Sequence, residues 1–180
     1  MSIITRTSQE TRIEVSVAIG GGQSLIETPL PFLNHMLTTL ARYGALGLQV
    51  RASGDLKHHI IEDTAITIGT ALRQAVPDTA RRFGESTVPM DDALVQAVLD
   101  VGGRPYYQGP LPSRLYDHFF RSLAMAADYT LHLRVLRGVD RHHVVEAAFK
   151  AFGFALRNAV AASGDAIVMS TKGSVSWGSA

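Results

Sequence analysis

The stretch HHIIEDTAITIGTALRQAV, residues 58–76, returns as HHVVEAAFKAFGFALRNAV at residues 142–160, and that recurrence decides how the chain folds. Both copies open on a histidine pair, place a glutamate four residues after the first histidine, and close with Ala-Leu-Arg ahead of a final Ala-Val. Working outward, the match extends to Pro29–Val76 and Pro110–Val160, where each copy holds a lone histidine (His35, His118), a strand, the histidine pair and a helix. Further upstream, residues 12–19 and 94–101 alternate apolar and polar like half-buried strands and end in Gly20-Gly21-Gly22 and Gly102-Gly103. The duplication therefore spans nearly the whole chain, and repeats must be settled before any single motif is read.

Each half reads as strand, Gly-rich turn, extended Pro-containing segment, helix, strand, short loop and helix. That is an α+β class: an internally duplicated unit, each half a small, mostly antiparallel sheet packed on two helices. Asn34 and Asp117 precede runs with helical apolar spacing and are expected to be N-caps, which would put His35 and His118 in the first turns. Leu46, Leu48, Val50 and Leu131, Leu133, Val135 alternate as strands with one buried face. Residues 60–76 and 144–162 are apolar enough to require helices packed on a sheet. Val88-Pro89 breaks the pattern, so the boundary is expected near residues 87–91, dividing the chain into repeats 1–88 and 89–180.

Composition narrows the chemistry. With 180 residues, 46% of them hydrophobic, the chain can bury a substantial core. Seventeen Lys plus Arg against 16 Asp plus Glu leave a net charge of +1, which gives no general electrostatic reason for nucleic-acid or membrane-surface binding. Cysteine is absent, which excludes thiolate metal sites, disulfides and a cysteine nucleophile. No signal-peptide pattern opens the sequence and no run approaches the roughly 18 apolar residues of a membrane span, so a soluble cytoplasmic protein is expected.

His-His-x-x-Glu at a helix start has a geometric consequence. Residues four apart share a helix face, so His58 pairs with Glu62 and His142 with Glu146, while His59 and His143 point roughly 100° away. One motif can thus serve one ion with a nitrogen and an oxygen and another ion with a nitrogen. Adding His35 and His118 gives six imidazoles and two carboxylates. Such sets suit manganese, iron, cobalt, nickel or zinc, the carboxylates keeping manganese in the range. A single His-His pair is usually just a solvated helix start. Here, however, six of seven histidines fall at matched positions of the two copies, and only His132 does not. His132 reads as an ordinary surface or interface residue.

At these residues the sequence resembles the imidazoleglycerol-phosphate dehydratase family. The likeness runs through PFLNHM (31–36), HHIIED (58–63), RFG (82–84), PMDDA (89–93), GRPY (103–106), HFFRS (118–122), HHVVEA (142–147) and STKG (170–173). The resemblance implies a duplicated α+β fold of the ribosomal protein S5 domain 2-like type, assembled as a 24-subunit homo-oligomer with active sites between neighbours. It implies dehydration of imidazole glycerol phosphate to imidazole acetol phosphate in histidine biosynthesis, a hydro-lyase reaction. It also implies two manganese ions per active site, held by His35, His58, His59, Glu62, His118, His142, His143 and Glu146. Arg82, Arg104, Ser170, Thr171 and Lys172 would bind the phosphate, and Glu10 would act in acid–base chemistry, with Glu62 and Glu146 also in the catalytic set. Three departures stand out: Asn34 replaces an aspartate, Tyr43 stands where many members carry histidine, and the loop before His58 is three residues shorter than the common form.

Physical chemistry agrees with that implication. Guanidinium and ammonium groups match a phosphate dianion. Removing a carbinol-flanked proton demands electron delocalisation into the imidazole, which a ring nitrogen bound to each ion would promote. Two rivals stand beside this reading: a dinuclear metallohydrolase acting on a phosphate ester, and a non-enzymatic metal-storage or RNA-binding module. The imidazole-rich ligand set speaks against the first. The sequence-distant arginines speak against storage, and the near-zero charge against RNA.

Overall fold

The computed structural model describes residues 3–162. In the first half β1 (Ile4–Thr7), β2 (Thr11–Ile19), β3 (Leu25–Glu27), α1 (Pro31–Tyr43), β4 (Leu46–Gly54) and α2 (Lys57–Ala75) follow one another. The second half repeats the order as β5 (Phe83–Met90), β6 (Ala93–Asp100), β7 (Tyr106–Gln108), α3 (Arg114–Ala127), β8 (Thr130–Arg137) and α4 (Arg141–Val160). Each half builds its own sheet, in the matching orders β1-β2-β4-β3 and β5-β6-β8-β7. Pairing is antiparallel except for β3 with β4 and β7 with β8. Those two pairs are parallel because a helix, α1 or α3, carries the chain across between their strands. The fold is α+β and duplicated, as the sequence pattern leads one to expect.

The alternating strands bury the residues expected of them: Ile13, Val15 and Val17 of β2, Leu46, Leu48 and Val50 of β4, and Val95, Ala97 and Leu99 of β6. α2 lies on the first sheet through β2, and α4 on the second through β5 and β6. The helices then pair across the halves, α1 with α4 and α2 with α3. Glycines at matched positions permit this approach. A Cβ on Gly69 of α2 would meet the backbone of Leu123 and Ala127 in α3, and one on Gly153 of α4 would meet Tyr43 and Gly44 at the end of α1. Phe119, Phe120, Phe149 and Phe152 fill the space between α3 and α4 with ring centroids 4.7–5.6 Å apart. One continuous apolar core thus runs through both halves; each fully buried Phe or Leu contributes about 1.5–3 kcal/mol.

Two expectations need correction. The chain does not divide at residue 88: Val88-Pro89 lies inside β5, which pairs with β6 from Phe83–Asp100 to Met90–Ala93. β5 is the outermost strand of its sheet, where a proline is tolerated, so the sheets divide the chain between α2 and β5 instead. Nor are Asn34 and Asp117 N-caps. α1 begins at Pro31 and α3 at Arg114, which puts His35 and His118 a turn deeper than expected. The two side chains turn back to hold the segments entering their helices. Asn34 Oδ1 accepts from Thr28 N at 3.1 Å, and Asp117 Oδ1 accepts from Leu111 N at 2.8 Å and Tyr107 OH at 2.6 Å. Finally, the edge strands β1, β3, β5 and β7 carry too little alternation to be foreseen. Among the described residues no helix is long and apolar enough to cross a membrane.

Candidate active site

Cross-half helix pairing brings the predicted ligands together in a pattern that the linear motif does not contain. On α4, His142 and Glu146 share a face as helical spacing requires, and α1 delivers His35 from the other half of the chain. Nε2 of His35 and Nε2 of His142 each lie 3.3 Å from Glu146 Oε2. The mirror arrangement forms on α2, where His58 Nε2 is 3.4 Å from Glu62 Oε2 and α3 brings His118 Nε2 to 3.1 Å from Glu62 Oε1. In each trio the donor atoms lie within 4.8 Å of one another. Donors about 2.1 Å from a common ion stand roughly 3.0–3.4 Å apart at octahedral or tetrahedral angles, so these spacings suit a bound cation.

One atom adds an independent reason. His118 Nε2 is buried and has no hydrogen-bond partner among the described residues, although Glu62 Oε1 approaches it. Leaving such an atom unsatisfied costs about 1–3 kcal/mol. A cation between the imidazole and the carboxylate removes that cost, and the donor set fits a divalent transition metal.

His59 and His143 lie outside both trios. His143 Nδ1 donates to Asp92 Oδ1 at 2.6 Å, with Asp91 Oδ2 3.4 Å from its Nε2. His59 Nδ1 donates to Asp55 Oδ1 at 2.9 Å. A carboxylate accepting from Nδ1 holds the ring and favours the tautomer whose Nε2 carries the lone pair, the form able to bind a metal. These contacts raise the pKa of both imidazoles, the hydrogen bonds to Asp55 and Asp92 being the largest causes. The Asp92 carboxyl is held well below the usual range, first by the Val139 N–H, then by His143 and the Asp140 N–H. Asp140 caps α4 by accepting from the backbone N–H groups of His142 and His143.

Glu146 is buried, and burial pushes its pKa up, but hydrogen bonds from Lys150 and His35 outweigh this and hold it down. Beside the cluster, His35, Thr38, Arg42, Tyr43 and Lys150 line a recess of about 270 Å³. Tyr43 packs edge-on against Phe154, its ring 5.6 Å from Lys150 Nζ. His132 sits on β8 beside the Tyr106 ring and belongs to neither trio.

Glu10 occupies the exposed turn between β1 and β2, with Oε2 3.7 Å from His59 Nδ1. Its backbone carbonyl accepts from Asp55 N at 3.1 Å, tying the turn to the loop before α2. The phosphate candidates lie elsewhere. Arg82 engages Asp100 through Nε at 2.8 Å and Nη2 at 3.0 Å, which raises its pKa further. Its backbone N–H donates to Ala159 O near the far end of α4 from His142. The helix length between them is about 25 Å. Arg104 is exposed, and its carbonyl accepts from Thr130 Oγ1 at 2.7 Å. Ser170, Thr171 and Lys172 lie outside the described residues.

Sequence reasoning missed Asp55, Asp92 and Lys150. The turn position of Asp92, matching that of Glu10 in the first half, and the i,i+4 spacing of Lys150 from Glu146 were the available signals.

The family model described as imidazoleglycerol-phosphate dehydratase matches residues 28–156. Among curated relatives carrying that name, the protein from Methanoculleus marisnigri is 47% identical, over 97% of this chain and 98% of its own. The one from Renibacterium salmoninarum is 46% identical, over 87% and 88%. The crystal structure of IGPD from Pyrococcus furiosus superposes with a TM-score of 0.85 at 39% identity, covering 95% of this chain and 99% of that one. The imidazoleglycerol-phosphate dehydratase structure from Staphylococcus aureus gives 0.79 at 35%, covering 91% and 100%.

Proposed function

The chain belongs to the imidazoleglycerol-phosphate dehydratase family, and from that we propose that it converts imidazole glycerol phosphate to imidazole acetol phosphate and water in histidine biosynthesis, with two divalent ions per active site. The observation that carries the metal part is the pair of crossed trios, His35–His142–Glu146 and His58–Glu62–His118, with His118 Nε2 buried beside Glu62 Oε1 and making no hydrogen bond among the described residues. His59 and His143, held through Nδ1 by Asp55 and Asp92 and outside both trios, would complete the sites of neighbouring copies. Manganese suits this mixture of imidazole and carboxylate. When bound, the ions supply Lewis acidity toward the substrate imidazole, easing loss of the neighbouring proton.

The chain's own residues do the rest. Glu10 is the candidate to take the proton from C2, within reach of a substrate seated against His59. The hydroxyl on the adjacent carbon leaves as water, and the resulting enol becomes the ketone. Arg82 and Arg104, joined by Ser170, Thr171 and Lys172, would bind the phosphate and fix the reacting carbons relative to Glu10. Arg82 and the His142 cluster lie at opposite ends of α4, so one chain cannot present both to a small substrate. This supports a homo-oligomer, 24 subunits by the family pattern, with active sites at subunit contacts. A small-molecule substrate in the cytoplasm fits such an enzyme, with no nucleic acid or membrane as partner.

The test is a steady-state assay with imidazole glycerol phosphate. Ketone should form with manganese-loaded protein, stop after chelation, and resume on adding manganese. Undiminished turnover by metal-free protein would refute the metal role, and no turnover by assembled, loaded protein would refute the activity.

A further inference from the structure

The duplicated clusters differ in one partner. Glu146 Oε1 accepts a hydrogen bond from Lys150 Nζ at 2.9 Å, one turn further along α4. The corresponding position in α2, four residues after Glu62, is Ile66. Among the described residues Glu62 is ion-paired only with His58 and His118. Lys150 is held in place, its side chain 13% exposed, its ammonium 3.0 Å from Met90 Sδ and 5.6 Å from the Tyr43 ring centroid. The carboxylates accordingly face their histidines differently. Glu62 turns Oε2 to His58 and Oε1 to His118, whereas Glu146 turns Oε2 alone to both His35 and His142.

We infer that the two metal positions are unequal: His58–Glu62–His118 holds its ion more tightly, and Lys150 makes His35–His142–Glu146 the exchangeable position by occupying one oxygen of Glu146. This rests on the two-ion reading above. The physical reasons are two. A carboxylate already shared with an ammonium has less negative charge to offer a cation, and the ammonium itself repels a dication through a poorly screened, largely buried space. With Oε1 engaged, Glu146 is confined to a single-oxygen contact, while Glu62 can use both. Lys150 is therefore a positioning residue, acting on the ion through Glu146.

The test is graded competition between assembled, manganese-loaded protein and a fluorescent manganese chelator, reading ions released per chain. Wild type should release two ions in two equal phases whose affinities differ by roughly tenfold or more. Lys150→Met should bring the weaker phase up to the tighter one, and Lys150→Arg, which keeps the charge, should preserve the gap. Should Lys150→Met fail to assemble, Ile66→Lys, at a partly exposed position, places the mirror ammonium beside Glu62 and should weaken the tighter phase. A single phase of two ions in wild type, or two phases indifferent to both substitutions, would overturn the inference. Fewer than two ions per chain would instead defeat the two-ion reading and this inference with it.

Discussion

His35 of α1 lies 3.3 Å from Glu146 of α4, 111 residues further along the chain and in the other half of the duplication. The contact exists because α1 packs on α4 rather than on the helix of its own repeat, and His118 reaches Glu62 through the same exchange between α3 and α2. Each cluster is therefore a product of both halves. Replacing His35 or His118 by alanine should lower bound manganese from two ions per chain to about one, with the other cluster still loaded. Elemental analysis of the assembled variants checks this; loss of both ions, or of neither, would contradict the independence of the clusters.

The helix pairing that crosses the halves depends on Gly69. Alanine in a helix interior is normally better than glycine by up to about 1 kcal/mol. Here the added methyl would meet the Leu123 carbonyl and the Ala127 amide, rigid backbone of α3. Overpacking of that kind costs about 1–3 kcal/mol, so the net effect of Gly69→Ala is destabilising. Gly153→Ala, whose nearest neighbours are looser at 3.0–3.2 Å, should cost less. Urea unfolding of the metal-free chains compares them, and a stabilised Gly69→Ala variant would contradict the packing described.

Much of this was legible in the sequence. The alternation of β2, β4, β6 and β8 and the repeated His-His-x-x-Glu helices announced a duplicated α+β unit, because strand and helix periods are local properties. The candidate ligand residues were legible as candidates because they recur at matched positions of the two copies. Their grouping was not, since periodicity fixes that His142 and Glu146 share a face but says nothing about which helix will lie against it. Asn34 and Asp117 misled because the same side-chain chemistry that caps a helix can equally well pin the loop before it. Val88-Pro89 misled because an edge strand tolerates a proline that an inner strand would not. The distance between Arg82 and His142 is likewise a tertiary fact.

Glu10 is offered as the base and takes no part in either trio, so its loss should separate chemistry from metal binding. Glu10→Gln should retain both manganese ions and lower kcat by about 10²–10⁴-fold. Steady-state kinetics with parallel metal analysis decide the point, and near-normal turnover would remove Glu10 from the mechanism.

Asp92 joins the β5–β6 turn to the loop before α4 by accepting from Val139 N at 2.6 Å and His143 Nδ1 at 2.6 Å. Asp92→Ala frees the imidazole to rotate and change tautomer. Manganese affinity should fall by about 10–100-fold, with activity recovering as manganese is raised. Manganese titrations of turnover check this, and an unchanged circular dichroism spectrum and thermal midpoint of the metal-free variant separate it from a folding defect.

On the function proposed above, one catalytic site draws metal ligands and phosphate-binding arginines from different chains. His142→Ala and Arg82→Gln chains should each be inactive when assembled alone. Mixed metal-free in equal amounts and then loaded with manganese, they should regain roughly a quarter of wild-type activity, since about that share of random pairings unites an intact cluster with an intact Arg82. No recovered activity in a mixture shown to have co-assembled would contradict the claim.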